Sequence, residues 1–146
     1  MNKNKRLLDK VADLYAWIEQ EIRRHPEEAG ECYACGACCD FERYGHRLFL
    51  TSAEMAYFVD HVGSENLKPM TDGVCPYRIN HRCSVHAHRF AGCRIFCCRG
   101  DDPFQHRLSE QVQQKLKTIC EETHTPYRYA DLRQTLNTAI EAEGVL

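Results

Sequence analysis

Cysteines constrain this chain more than any other feature. The stretch CYACGACCD at residues 32–40 places Cys32, Cys35, Cys38 and Cys39 close together, and Cys75, Cys83, Cys93, Cys97 and Cys98 follow further along. Buried cysteines that serve only as small hydrophobes do not cluster in this way. The two loops concerned, 32–39 and 75–98, show little apolar periodicity, so the sequence offers no conventional core to order them. Cys120 is different. It stands four residues after Leu116 on a helical stripe, where packing is the expected role.

The chemistry follows from compartment and spacing. Ten cysteines in 146 residues lie below the density of a small disulfide scaffold. The start, MNKNKRLLDKVADLY, is basic, but acidic residues interrupt it and no small-residue cleavage site follows, so it does not read as a signal peptide. The expected compartment is the cytoplasm, where cystines do not persist. Clustered thiols then read first as metal ligands and second as redox catalysts. A thioredoxin-like pair at Cys32 and Cys35 lacks its βαβ surroundings, and the C-x-x-x-C-x-x-C run of radical-SAM sites is absent.

Metal binds thiolate, and each bond replaces a proton. C-x-x-C lets two sulfurs converge on one centre, and Gly36 inside the overlapping pair can take a positive φ. Cys32, Cys35 and Cys38 form C-x-x-C-x-x-C, the run with which bacterial ferredoxins hold three corners of a cubane. The ferredoxin continuation is missing, but Cys75-Pro76 offers a C-P pair at a distance. Adjacent residues aim their side chains apart, so Cys38 and Cys39 suit two centres or one polynuclear cluster. The expectation is a bipartite site in which the first loop folds onto the second. Iron–sulfur is favoured, because zinc usually takes separate pairs of cysteines. Zinc remains the alternative, with His81, His86 or His88 available to replace a thiolate.

Around the loops the periodicity is helical. Leu7, Val11, Leu14, Ile18 and Ile22 predict a helix over 4–24 that ends before Pro26. HRLFL reads as a short extended segment. Thr51 and Glu54 form a capping box that opens a helix stopping at Gly63. Asp102 and Pro103 start another, with Leu108, Val112, Leu116 and Ile119 as its stripe, and TPY at 125–127 breaks it. Leu132, Leu136 and Ile140 mark a last helix, so the C-terminal helices span about 103–143. The predicted fold is a single mainly α domain over 1–146, with helices framing two cysteine-rich metal-binding loops and little β.

Between Gly73 and Gly100 stand Arg78, Arg82, Arg89, Arg94 and Arg99 with no Asp or Glu, although the whole chain carries a formal charge of −2. The first reading is compensation of cluster charge, since a tetrathiolate zinc site or an oxidised cubane carries about −2. The second is a docking patch for an anionic substrate or an acidic redox or client protein. The net charge gives no pull toward nucleic acid. No apolar run approaches the roughly 18 residues of a membrane span.

Read together, CYACGACC and GVCPYRINHRCSVHAHRFAGCRIFCC resemble the YkgJ-type CxxCxxCC family, a zinc- or iron-chelating domain. The resemblance covers about residues 32–98. It implies Cys32, Cys35, Cys38, Cys39, Cys75, Cys83, Cys93 and Cys98 as ligands. His86, Phe90 and Cys97 depart from the family pattern, which has Tyr, Pro and Pro at these positions. Cys97 thus becomes a further candidate ligand beside Cys98.

Three functions fit these residues. The first is an iron–sulfur protein for electron transfer or an accessory role in maturing another enzyme. The second is a structural zinc module that presents a surface to a protein. The third is a metal-dependent enzyme, with Asp40, Glu42, His86 and His88 as acid–base candidates. No Walker loop, G-x-G-x-x-G, H-E-x-x-H or G-x-S-x-G motif points to a substrate.

Overall fold

The N-terminal apolar stripe forms one long helix, α1 (Asn2–Arg24), and Pro26 opens a single turn, α2 (Pro26–Ala29). The computed structural model describes residues 2–29, 48–80, 82–95 and 102–142. Strand β1 (Phe49–Thr51) leads into α3 (Ser52–Val62), and a short hairpin follows, β2 (Arg78–Ile79) with β3 (Arg82–Cys83). Helix α4 (Ala91–Ile95), helix α5 (Asp102–Glu122), strand β4 (Tyr129–Asp131) and helix α6 (Leu132–Ala142) complete the order. Among the described residues, 3-10 turns lie at Ser64–Asn66 and His86–His88. The fold is mainly α with little β, as expected.

Helices α1 and α5 run antiparallel. Lys10 near the start of α1 pairs with Glu122 at the end of α5 at 3.3 Å, while the His25 ring lies 5.2 Å from Phe104 at the start of α5. Leu7, Val11, Leu14 and Ile18 face Leu108, Val112, Leu116 and Ile119 in a first apolar cluster. Arg23 and Arg24 occupy the last turn of α1, where positive charge suits the helix dipole.

The boundaries of α3 follow the expected chemistry. The Thr51 hydroxyl accepts from the Glu54 amide, and the Glu54 carboxylate accepts from the Thr51 amide at 2.8 Å. Gly63 ends the helix at φ 93, and its N–H donates to the Val59 carbonyl. Helix α5 ends differently from the expectation. His124 takes φ 54, its N–H reaches the Glu121 carbonyl, and the Thr125 N–H reaches the Cys120 carbonyl at 2.8 Å. That is a Schellman closure with histidine in the place glycine usually takes. The chain then pairs β4 antiparallel with β1, Leu50 opposite Ala130, a pairing the sequence did not suggest.

A second apolar cluster corrects one expectation. The sequence of the 75–98 loop predicts no conventional core of its own. Instead Cys75, Tyr77 and Phe90 are buried with Leu50, Phe58, Met70, Leu132 and Leu136. The Phe58 ring lies 5.2 Å from Tyr77 and 4.9 Å from Phe90. The inward residues come at irregular intervals, because a hairpin, a turn and a one-turn helix each aim one or two of them. No single period could reveal them.

Candidate metal centre

The hairpin places the first two described cysteines of the second group. Asn80 takes φ 52 in the turn between β2 and β3, a conformation asparagine tolerates. Cys83 then lies opposite Arg78, whose N–H donates to the Cys75 carbonyl at 3.0 Å. Tyr77 pins the hairpin to the body. Its hydroxyl accepts from the Lys68 amide at 2.9 Å and donates to the Asn66 carbonyl, while its own carbonyl accepts from the Ser84 amide and hydroxyl. Cys75 belongs to the second cluster, and Cys83 and Cys93 pack against it.

Cys93 rides on α4, which is held from two sides. The Ala91 N–H at the head of α4 donates to the Glu54 carboxylate at 2.7 Å. Glu54 is 1% exposed. Burial raises its pKa above the ordinary carboxylate value, partly offset by the Ala91 and Thr51 hydrogen bonds. On the other side Arg94 reaches α1. It forms an ion pair with Glu19 at 3.3 Å, lies 4.1 Å over the Tyr15 ring, and donates to the carbonyls of Arg89 and Ala87. Arg89 donates to the carbonyls of His86 and Cys93. The Tyr15 hydroxyl is buried with no hydrogen-bond partner among the described residues, and desolvation pushes its pKa well up.

These contacts revise the arginine patch. The Arg94 side chain is 9% exposed and that of Arg89 12%. Both are spent holding the cysteine segment to α1, so neither belongs to a surface docking patch. Among the described residues Glu19, outside the interval in which no acid was found, supplies counter-charge to both. The side chain of Arg82, and all of Arg99, lie outside the described residues.

The anchors of the two cysteine-bearing stretches outside the described residues, 30–47 and 96–101, are themselves described. Where the chain leaves α2, Glu28 lies 3.7 Å from Arg107 in the second turn of α5. So 30–47 departs beside the helix at whose first residue, Asp102, the 96–101 stretch arrives. Where the chain returns, Leu48 packs on α4. A Cβ at Gly92 would sit 2.6 Å from Leu48 Cδ1, so glycine lets the Leu48 side chain lie this close to α4 without shifting. Helix α4 ends at Ile95, where 96–101 begins. The first stretch is thus anchored at both ends beside the anchors of the second. Gly92 and the Glu28–Arg107 pair carry this arrangement, and sequence reasoning missed both; the one signal was a glycine directly before Cys93.

His86 and His88 occupy the 3-10 turn after Cys83. Each has one buried ring nitrogen without a hydrogen-bond partner among the described residues, Nε2 of His86 and Nδ1 of His88. Desolvation lowers both pKa values. Nearby Arg89 lowers that of His86 further, and nearby His61 does the same for His88.

Among the described residues the four cysteines form no disulfide with one another. No group of three or more His, Cys, Asp or Glu among them assembles into a metal-holding set. Cys32, Cys35, Cys38, Cys39, Cys97 and Cys98, with Asp40, Glu42 and His81, lie outside the described residues. Cys120 sits in the first cluster, apart from the other three, and burial raises its thiol pKa, in keeping with packing. No helix among the described residues is long and apolar enough to cross a membrane. No family model matches the chain, and no curated protein or solved structure matches it.

Proposed function

We propose that the protein is a cytoplasmic cysteine-ligated metal protein of the YkgJ type. In this reading it holds one or more iron–sulfur clusters for electron transfer or for maturing another enzyme. The observation that carries the reading is the double anchoring of 30–47 against 96–101, by Glu28 with Arg107 and by Leu48 on Gly92. Ends held side by side lower the closure part of the entropy, and metal binding would have to offset the ordering of the loops themselves for thiols from both groups to share a centre.

The donor set fits the group. Cys32, Cys35, Cys38 and Cys39 would hold it with Cys75, Cys83, Cys93 and Cys97 or Cys98. The resemblance in motif order supports the same set. When bound, an iron–sulfur centre supplies reversible one-electron transfer. The chain's own residues position the thiols. Tyr77 fixes the hairpin, Glu54 and Arg94 fix α4, and the apolar cluster behind Cys75 excludes water from that side.

Absorbance spectroscopy on protein purified without oxygen tests the proposal. A visible spectrum that bleaches with dithionite and returns on reoxidation is expected. A protein colourless in both states, with stoichiometric zinc, would contradict iron and leave a structural zinc module.

A further inference from the structure

A groove of about 590 Å³ opens on another face, between α3 and α6. One wall is a single face of α3: Ser52, Met55, Ala56, Val59 and Asp60. These residues fall at steps of three and one, the spacing of a helical stripe. The facing wall comes from Thr135, Thr138 and Ala139 of α6, with Leu50 of β1 contributing apolar surface. The side chains on both walls are mostly small, which lets another backbone approach closely.

The groove is electrically polar along its length. Arg128 marks the end at the start of α3. Its N–H donates to the Ser52 hydroxyl at 3.1 Å, and its carbonyl accepts from the Ser52 amide. Asp60 marks the other end, eight residues along α3 and therefore roughly 12 Å away. No carboxylate among the described residues pairs with Arg128. The nearest cationic candidate for Asp60 is His61 at 3.7 Å, and its Nδ1 is engaged with the Tyr57 carbonyl at 3.0 Å.

We infer that this groove docks a short amphipathic helix of a partner protein, lying antiparallel to α3. A helix carries partial positive charge at its N-terminus and partial negative charge at its C-terminus. Only the antiparallel direction brings the first toward Asp60 and the second toward Arg128. The apolar floor receives side chains at i, i+3, i+4 and i+7, the usual helix-in-groove reading. A small apolar ligand would leave both end charges unused. The inference stands whether or not the cysteines hold metal.

The probe is a lactam-stapled nine-residue peptide with leucines at those four positions and free termini, titrated into the ¹⁵N-labelled full chain. Saturable shifts at Met55, Val59 and Thr138 are expected. A spin label on the peptide's N-terminus should broaden Asp60, and one on its C-terminus should broaden Ser52. Thr138→Trp, at an exposed position on the groove wall, should weaken binding at least tenfold by filling the groove. Arg128→Glu and Asp60→Lys should each weaken it about threefold. Shifts elsewhere, none at all, reversed broadening, or decanoate filling the groove where the peptide does not would overturn the inference.

Discussion

The two apolar clusters are built in opposite ways. The first is helix against helix: α1 and α5 each present a regular stripe, and either stripe implies the other. The second gathers Leu48, Leu67, Met70, Cys75, Tyr77 and Phe90 from strands, turns and loops around α3 and α6. Regular helices satisfy their own backbone, so the first cluster needs only side-chain packing. The second must order irregular chain as well, with directed contacts from Tyr77, and Glu54 and Arg94 hold the short α4 between the two clusters. A metal centre beside this second cluster would complete what those contacts begin.

Removing metal should separate the two regions most sharply. Structural zinc in small peptides contributes roughly 10–16 kcal/mol. Stripping the centre from a metal-loaded protein with chelator should therefore expose amides of 75–95 to hydrogen exchange while α1 and α5 stay protected. Uniform loss of protection would show that the clusters are one cooperative unit.

Next in size is Phe58→Ala. Its ring is fully buried between Tyr77 and Phe90, and denaturant titration should read a loss of about 3–5 kcal/mol. The same titration on Arg94→Ala should lose about 2–3 kcal/mol, since charged hydrogen bonds to two carbonyls and Glu19 go together. If Arg94 were only a counter-charge for a cluster, its removal would alter the spectrum and leave the stability of metal-free protein unchanged.

Glu54→Gln sharpens the comparison through pH. The folded pKa of Glu54 is raised, so the folded state binds its proton more tightly than the unfolded state does. Its contribution is fully present below the ordinary carboxylate value of about 4.3 and is lost as pH rises through the raised folded value. The stability of wild type relative to Glu54→Gln should fall with rising pH across that window, as followed by thermal unfolding at stepped pH. A flat difference would mean that Glu54 keeps an ordinary pKa.

The smallest change expected is at His124, where the first cluster's helix ends. His124→Gly should relieve a left-handed φ while loosening the unfolded chain, for a net gain of about 0.5 kcal/mol in a thermal melt.

Legibility in the sequence follows the same divide. Leu7 to Ile18 and Leu108 to Ile119 repeat at helical spacing, so both helices and their buried faces were readable. The Thr51–Glu54 box and Gly63 were readable because each is a local rule of hydrogen bonding or φ. Cys120 was readable as packing for the same reason as Leu116. Tyr77, Phe90 and Gly92 were not, because their partners lie far away in sequence and no period connects them. Nor was the pairing of Phe49–Thr51 with Tyr129–Asp131, since three residues carry too little alternation. The arginines were visible as a charge run, but the contact of Arg89 and Arg94 with Glu19, seventy residues or more away, was not. The candidate ligand cysteines stood out by spacing alone, and the metal remains a proposal.

The central claim is that thiols from 32–39 and from 75–98 share a metal centre. Metal and acid-labile sulfide analysis on oxygen-free wild type, Cys35→Ser and Cys83→Ser tests it most directly. The account predicts iron and sulfide in wild type, and loss of the same centre's metal from either variant although the substitutions lie in different groups. Metal-free wild type, or two variants that each lose a separate and independent share, would contradict it.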